Sequence, residues 1–261
     1  MIETTEITVK DCKIPKAFSG YRILQISDLH EAQFGSEQEE LLDRVKTIGA
    51  DCVALTGDFV GGKDTDLKKI LRFFRDLSSI SFCCYVTGNH ETRLDAPDLE
   101  RLLGGMTAYG IEVLRGKMVS VSRGEDSIQI LGIDDPGFIN DEKYERDAQT
   151  VRDAIQSIPY DSSLFTLLLS HRPEVMGVYA ELGIDLVLCG HTHGGQIRIP
   201  GIGAFYVPMQ GWFPKYDCGL YQEGKTRMYI SRGLGTSVVP FRLFNPPELV
   251  LITLKCDTDI T

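Results

Sequence analysis

Eight short apolar or β-branched runs recur along this chain: YRILQIS (21–27), CVALTG (52–57), FCCYVTG (82–88), SIQILGI (127–133), LFTLLLS (164–170), DLVLCG (185–190), RMYISRG (227–233) and ELVLITL (248–254). Their length and composition fit strands, and strands this apolar on both faces need cover on both sides. Between several of them lie amphipathic helical patterns. In 65–79 the apolar positions are Leu67, Ile70, Leu71, Phe74 and Leu77. In 37–49 they are Leu41, Val45 and Ile48, and in 145–158 they are Ala148, Val151, Ile155 and Ile158. Weaker helical patterns cover 97–109 and 173–182. The alternation predicts a layered α/β architecture, and because helices separate the later strands less regularly, mixed rather than purely parallel sheets. No repeat, low-complexity tract or Pro/Ser-rich linker divides the 261 residues, so a single domain over 1–261 is expected.

A formal net charge of −10 repels polyanions, which argues against a nucleic-acid partner. The seven cysteines never fall in a C-x-x-C spacing, and several sit inside the apolar runs as small hydrophobes. That usage suits a reducing compartment better than a disulfide framework. The start MIETTEITVKDCK lacks an apolar leader, and no run approaches the ~20 apolar residues of a membrane span. A cytoplasmic location is expected, leaving peripheral membrane association open.

Packing does not explain the polar residues at the ends of these strands. Asp28 and His30 come after the first run, Asp58 after the second, Asn89 and His90 after the third, His171 after the fifth, and His191 and His193 after the sixth. These segments hold all five histidines of the chain. Taken singly, each has a bland reading: a histidine after a strand is usually a hydrogen-bonded loop residue, and Asp58 and Asn89, each after a glycine, suit turns. Together they would bring oxygen and imidazole donors to one crevice at the strand ends, where leaving them unpartnered would cost roughly a few kcal/mol each. A metal satisfies them jointly. On an extended segment residues i and i+2 point the same way, so Asp28/His30 and His191/His193 are each expected to aim two donors at one place. Imidazole, carboxylate and one amide suit Mn²⁺ above all, or Fe, Zn²⁺, Co²⁺ or Ni²⁺, rather than calcium or an iron–sulfur cluster. So many donors exceed one tetrahedral ion and suit two ions sharing a bridge.

The blocks SDLH, GDF, GNHE, SHRPE and GHTHGGQ, in this order, resemble the calcineurin-like metallophosphoesterase superfamily over about residues 21–195. GHTHGGQIRIP, GIDDPGF and ISRGLGTS…PPE are further similar to its bacterial branch of small phosphodiesterases, the YkuE-like proteins. The resemblance implies a four-layer αββα sandwich of two mixed β-sheets flanked by helices. It implies that Asp28, His30 and His193 hold one metal, that Asn89, His171 and His191 hold the other, and that Asp58 bridges them. His90 would face the substrate as the catalytic acid without binding metal. Gly194 and Gly195 would let the backbone turn away without a Cβ clash.

The reaction so implied is hydrolysis of a phosphodiester or pyrophosphate bond by a hydroxide bridging two divalent ions. The alternatives are a phosphomonoesterase or protein phosphatase, and a non-catalytic interaction scaffold, which has no need for a non-ligand histidine at position 90. The expected partner is a phosphate-ester small molecule, lipid-linked or nucleotide, acted on by a monomer. Arg93, Arg172 and Arg198 stand near the blocks, and surface salt bridges are their expected role. The aromatic stretch 199–216 could wall a leaving group or touch a membrane, but it is expected simply to pack onto the sheet.

Overall fold

A computed structural model describes residues 1–139, 144–207, 210–237 and 241–257, with side chains of 144–146 excluded. Among these residues sixteen strands and five α-helices occur. The first half holds β1 (Glu3–Asp11), β2 (Arg22–Ile26), α1 (Glu39–Ile48), β3 (Cys52–Thr56), α2 (Leu67–Ser78), β4 (Phe82–Val86), α3 (Ala96–Ala108) and β5 (Glu112–Val113). The second begins with β6 (Lys117–Arg123), β7 (Asp126–Gly132), α4 (Tyr144–Gln156), β8 (Thr166–Leu169), α5 (Met176–Glu181) and β9 (Leu186–Cys189). Two small ribbons come next, β10 (Arg198–Ile199) with β11 (Gly203–Ala204) and β12 (Tyr206–Val207) with β13 (Gly211–Trp212). The last strands are β14 (Gly219–Glu223), β15 (Thr226–Ile230) and β16 (Glu248–Cys256).

Two six-stranded sheets result, in the orders β1-β16-β2-β3-β4-β5 and β14-β15-β9-β8-β7-β6. Both are mixed: β2, β3, β4 and β5 run parallel while β16 opposes β2, and β7, β8, β9 and β15 run parallel while β6 and β14 oppose their neighbours. Strand alternation assigns the side chains to layers. From β3, Val53 and Leu55 meet the α1–α3 helices, whereas Cys52 and Ala54 face the other sheet. From β9, Leu186 and Leu188 face inward, whereas Val187 and Cys189 meet α4 and α5. The layer order is therefore helices, sheet, sheet, helices, the expected αββα sandwich. Each fully buried aliphatic side chain contributes about 1.5–3 kcal/mol, and three apolar layers multiply that gain.

The helices begin where the sequence supplies caps. Asp66 accepts from Lys68 N at 3.1 Å ahead of α2, and Asp95 accepts from Asp98 N at 3.0 Å ahead of α3. Among the described residues, no helix is long and apolar enough to cross a membrane.

One polar device inside the sandwich ties its two sheets together. Gln25, buried on β2, donates from Nε2 to Thr56 Oγ1 at 3.0 Å and to the Cys189 carbonyl at 2.8 Å. The second bond crosses between the sheets and fixes the ends of β2, β3 and β9 relative to one another.

Candidate metal centre

The parallel strands of both sheets end on the same edge of the sandwich, and every donor singled out from the sequence meets there. Beyond β2 come Asp28 and His30, beyond β3 Asp58, beyond β4 Asn89 and His90, beyond β8 His171, and beyond β9 His191 and His193. His30 Nε2 lies 3.0 Å from His193 Nε2 and 3.5 Å from Asp58 Oδ2, and His193 Nε2 lies 3.4 Å from Asp28 Oδ1. One ligand atom from each of Asp28, His30, Asp58 and His193 falls within 4.8 Å of the others. Alongside, Asp58 Oδ2 is 3.2 Å from His171 Nε2, and Asn89 Oδ1 is 2.9 Å from His191 Nδ1. The His171 and His191 rings stand edge to face with centroids 5.1 Å apart. Asp58 is thus flanked by imidazoles from both sheets.

The way the donors converge differs from the extended D-x-H and H-x-H geometry expected. Asp28 (φ 53°), His30 (φ 43°), Asp58 (φ 57°), His191 (φ 75°) and His193 (φ 51°) all occupy the left-handed region. That conformation is unfavourable for residues bearing a Cβ, by about 1–2 kcal/mol each, and clusters at functional sites. The strands stop short of the donors, and tight left-handed turns, not strand alternation, point them inward. Gly194 (φ 60°) and Gly195 (φ 75°) continue the turn as expected, and a Cβ on Gly195 would come within 2.4 Å of Ala204 Cβ.

Glu91 holds the loops after β3 and β4 in place. Its buried carboxylate accepts from the backbone N–H groups of Asp58 (3.0 Å), Phe59 (2.9 Å) and Gly88 (2.6 Å). Burial, with the nearby Asp58 charge, pushes its pKa up to about 7 despite the three donors. Here the β3 and β4 loops approach so closely that a Cβ on Gly88 would sit 2.2 Å from Asp58 Oδ1. Its signal in the sequence is the last letter of GNHE, a residue that the reading of donors alone passes over.

Burial pushes His30 down to about 4 and His193 down to about 3, and holds His191 well below the usual imidazole range. These rings are therefore neutral near pH 7, the form that binds metal. His171 differs: burial opposes its charge, but the Asp58 carboxylate beside it holds its pKa up, to about 10. Its Nδ1 donates to the Thr56 carbonyl at 2.7 Å, which turns Nε2 toward Asp58. That buried Nε2 makes no directed hydrogen bond. A cation between His171 and Asp58 satisfies both groups, so the donor set fits a divalent metal.

Outside this cluster the arginines part ways. Arg198 forms an ion pair with Asp217 at 2.9 Å, as expected. Arg93 instead places Nη1 3.2 Å from His90 Nδ1, facing the centre. Arg172 is no surface residue: it is fully buried, bidentate to Asp135 at 2.6 and 3.0 Å, with Nη1 3.3 Å from His191 Nε2. Asp135 comes from the GIDDPGF segment, whose tight turn carries the acid inward. Arg172→Met should therefore lower unfolding free energy by about 3–5 kcal/mol in urea melts, because Asp135 is left charged and unpaired. A loss below about 1 kcal/mol would show that Asp135 finds another partner.

Two more groups reach the centre from outside the motif blocks. Arg242 donates from Nε to the Gly235 carbonyl at 3.0 Å and brings Nη2 to 3.5 Å from His193 Nδ1, and Asn245 Nδ2 donates to the His193 carbonyl at 2.6 Å. Nothing local in the sequence marks either one. A cavity of about 290 Å³ is lined by Asp147, Glu174, Gln210, Phe213, Tyr216 and neighbours, and of these Glu174 places Oε1 3.9 Å from His191 Nε2. The aromatic stretch does not pack away as expected: Trp212 is 64% and Phe213 59% exposed. Edge-to-face ring contacts hold these side chains to one another, with no covering layer above them among the described residues.

Comparison with known proteins identifies the family. The family model for calcineurin-like phosphoesterases matches residues 21–195. The chain is 33% identical to the uncharacterized metallophosphoesterase YkuE of Bacillus subtilis, over 98% of this chain and 86% of that one. It is 28% identical to the phosphodiesterase YaeI of Escherichia coli, over 90% of this chain and 82% of that one. In structure it is similar to TT1561 of Thermus thermophilus, with a TM-score of 0.52, 18% identity, and coverage of 82% of this chain and 90% of the other.

Proposed function

Because the chain belongs to the calcineurin-like phosphoesterase family, we propose that it hydrolyses a phosphodiester or pyrophosphate bond at a centre of two divalent ions. The observation that carries this reading is Asp58, with one carboxylate oxygen 3.5 Å from His30 Nε2 and 3.2 Å from His171 Nε2. Asp28, His30 and His193 would hold one ion, Asn89, His171 and His191 the other, with Asp58 shared between them. When bound, two divalent ions lower the pKa of a water and polarise a phosphoryl oxygen. The mixed donor set favours manganese, with iron, zinc, cobalt and nickel also admissible.

The chain's own residues supply the rest. Glu91 and the left-handed turns hold the donors in position before substrate arrives, so little reorganisation is left for the reaction itself. His90 stands with its ring centroid 4.3 Å from His30, its backbone N–H on Asp58 Oδ1 at 2.8 Å and its Nδ1 3.0 Å from the Gly61 carbonyl. It would give a proton to the departing oxygen, with Arg93 adding positive charge beside it. The cavity lined by Glu174 would offer room for a second substituent on phosphorus, which a monoester does not have. The phosphodiesterase YaeI as a relative agrees with that choice. The chain would act as one domain over residues 1–261, on a small-molecule, lipid-linked or nucleotide phosphate ester.

The test is a matrix of metals against substrates. Metal-free protein is reloaded with each first-row divalent ion and assayed on a diester, a monoester and several nucleotide pyrophosphates. The fastest turnover should fall on a diester or pyrophosphate with Mn²⁺, with metal content near two per chain. Turnover of the monoester alone would overturn the reading.

Cysteine chemistry should be dispensable. Cys189 is buried on β9, no donor lies within 15 residues of the exposed Cys12 along the chain, and burial pushes the half-buried Cys218 thiol up to about 11. Alkylating the native protein should leave hydrolysis intact; activity lost in step with one modified thiol would point to a nucleophilic cysteine.

A further inference from the structure

The two ring nitrogens of His191 have opposite surroundings. Nδ1 lies 2.9 Å from Asn89 Oδ1, whereas Nε2 lies 3.3 Å from Arg172 Nη1 and 3.9 Å from Glu174 Oε1. A guanidinium keeps its protons and its charge, so it repels a divalent ion from Nε2. That leaves Nδ1, beside the amide oxygen of Asn89, as the nitrogen that would meet an ion. His171 and His193 are turned the other way. The Thr56 carbonyl lies 2.7 Å from His171 Nδ1 and the Gly235 carbonyl 3.3 Å from His193 Nδ1, which leaves Nε2 of each ring for the centre.

A neutral imidazole that binds metal through Nδ1 carries its hydrogen on Nε2, and that hydrogen needs an acceptor. Arg172 can only donate. Its Nε and Nη2 are taken by Asp135, and its Nη1 lies within reach of both His191 Nε2 and Glu174 Oε1, the latter at 3.4 Å. With Arg172 alone, Nε2 would accept from Nη1, the hydrogen would sit on Nδ1, and Nδ1 would be closed to a metal. Glu174 opposes this, because its carboxylate can accept from Nη1 and from the Nε2 hydrogen alike. Glu174 is the last letter of SHRPE; its side chain is buried, and its Oε2 makes no hydrogen bond, so acceptor capacity is left over. We propose that Glu174 is a positioning residue of the candidate metal centre: it accepts the Nε2 hydrogen of His191 and so fixes the tautomer whose Nδ1 binds the second ion. This role presupposes the two-ion reading of the centre.

Zinc titrations followed by calorimetry test the role, because they count and rank the ions without turnover. Glu174→Met should weaken the second ion by about 10–100-fold and leave the first within about twofold of the parent. Glu174→Gln, which keeps an uncharged acceptor of the same shape, should fall between the two. Proton–nitrogen spectra of protein with ¹⁵N-labelled histidine supply the second readout. In the zinc-loaded parent, His191, assigned by comparison with His191→Ala, should carry hydrogen on Nε2 and none on Nδ1. A residue that merely filled space would not set that signature. Second-ion affinity within about twofold of the parent in both variants would hand the acceptor role to solvent and overturn the proposal. Hydrogen on Nδ1 of His191 in the zinc-loaded parent would overturn it equally. A parent chain that takes up only one ion, with His191 outside its coordination, would overturn the two-ion reading along with it, which keeps the two failures distinct.

Discussion

Asp58→Asn should cost the protein both its metal content and its hydrolytic activity. Asparagine keeps the size of the side chain and tolerates left-handed backbone, so the turn at φ 57° survives the change. What disappears is the negative charge, held ionised against its burial by the neighbouring His171 ring. Because this carboxylate faces donors from both sheets, its loss should weaken both ions, whereas removing His193 or His191 should weaken one. Turnover should fall on the order of 10³-fold or more, the scale set by several kcal/mol of lost transition-state stabilisation at about 1.4 kcal/mol per decade. Metal analysis and diester rates at saturating Mn²⁺ read the two effects together. Full metal content with an undiminished rate would remove Asp58 from the centre.

His90→Ala should separate chemistry from metal binding. The bond from residue 90 to Asp58 Oδ1 comes from the backbone N–H, so it persists when the ring is removed. Metal content and melting temperature should therefore stay close to those of the parent protein. Turnover should nevertheless drop by about 10²–10⁴-fold, the usual contribution of a placed proton donor. The loss should depend on the leaving group: large for an alkyl diester, whose alkoxide needs a proton, and small for a nitrophenyl diester, which departs unprotonated. By contrast, His171→Ala and His191→Ala should harm both substrates alike and recover partly in excess Mn²⁺. Equal losses on both substrates, together with one missing metal, would turn His90 into a ligand and end its role as an acid.

Sequence exposes those features that depend on a strong local contrast. Strands covered on both faces are apolar throughout, which is why β2, β3, β4, β8 and β9 are legible, and a polar residue immediately after such a run stands out. Edge strands carry no such contrast. β1, ETTEITVKD, and β6, KMVSVSR, alternate charged or hydroxyl residues with apolar ones because one face meets solvent, and neither stands out as a strand. Tertiary context hides the rest. Arg172 looks like any loop arginine until Asp135, brought from another segment, meets it inside the protein. Arg242 reaches His193 from 49 positions along the chain. The aromatic stretch misleads because hydrophobicity says that a side chain prefers burial, not that a surface is available to bury it. The left-handed turns at the donors are hidden for a related reason: aspartate and histidine adopt them more readily than most residues with a Cβ, but still in a small minority of cases, so the residue types do not announce them.

The division of the donors between the two sheets has a consequence for how the protein is made. Asp28, His30, Asp58 and Asn89 belong to the first sheet, and His171, His191 and His193 to the second. A chain leaving the ribosome N-terminus first therefore displays two carboxylates, an amide and one imidazole long before the other three rings exist. That early, oxygen-rich set has the character of a site for hard ions such as magnesium or calcium. Preference for a borderline transition metal can emerge only when the second sheet closes over the first, through contacts such as Gln25 to the Cys189 carbonyl. Selectivity for a borderline metal would thus belong to the finished sandwich and not to its first half alone.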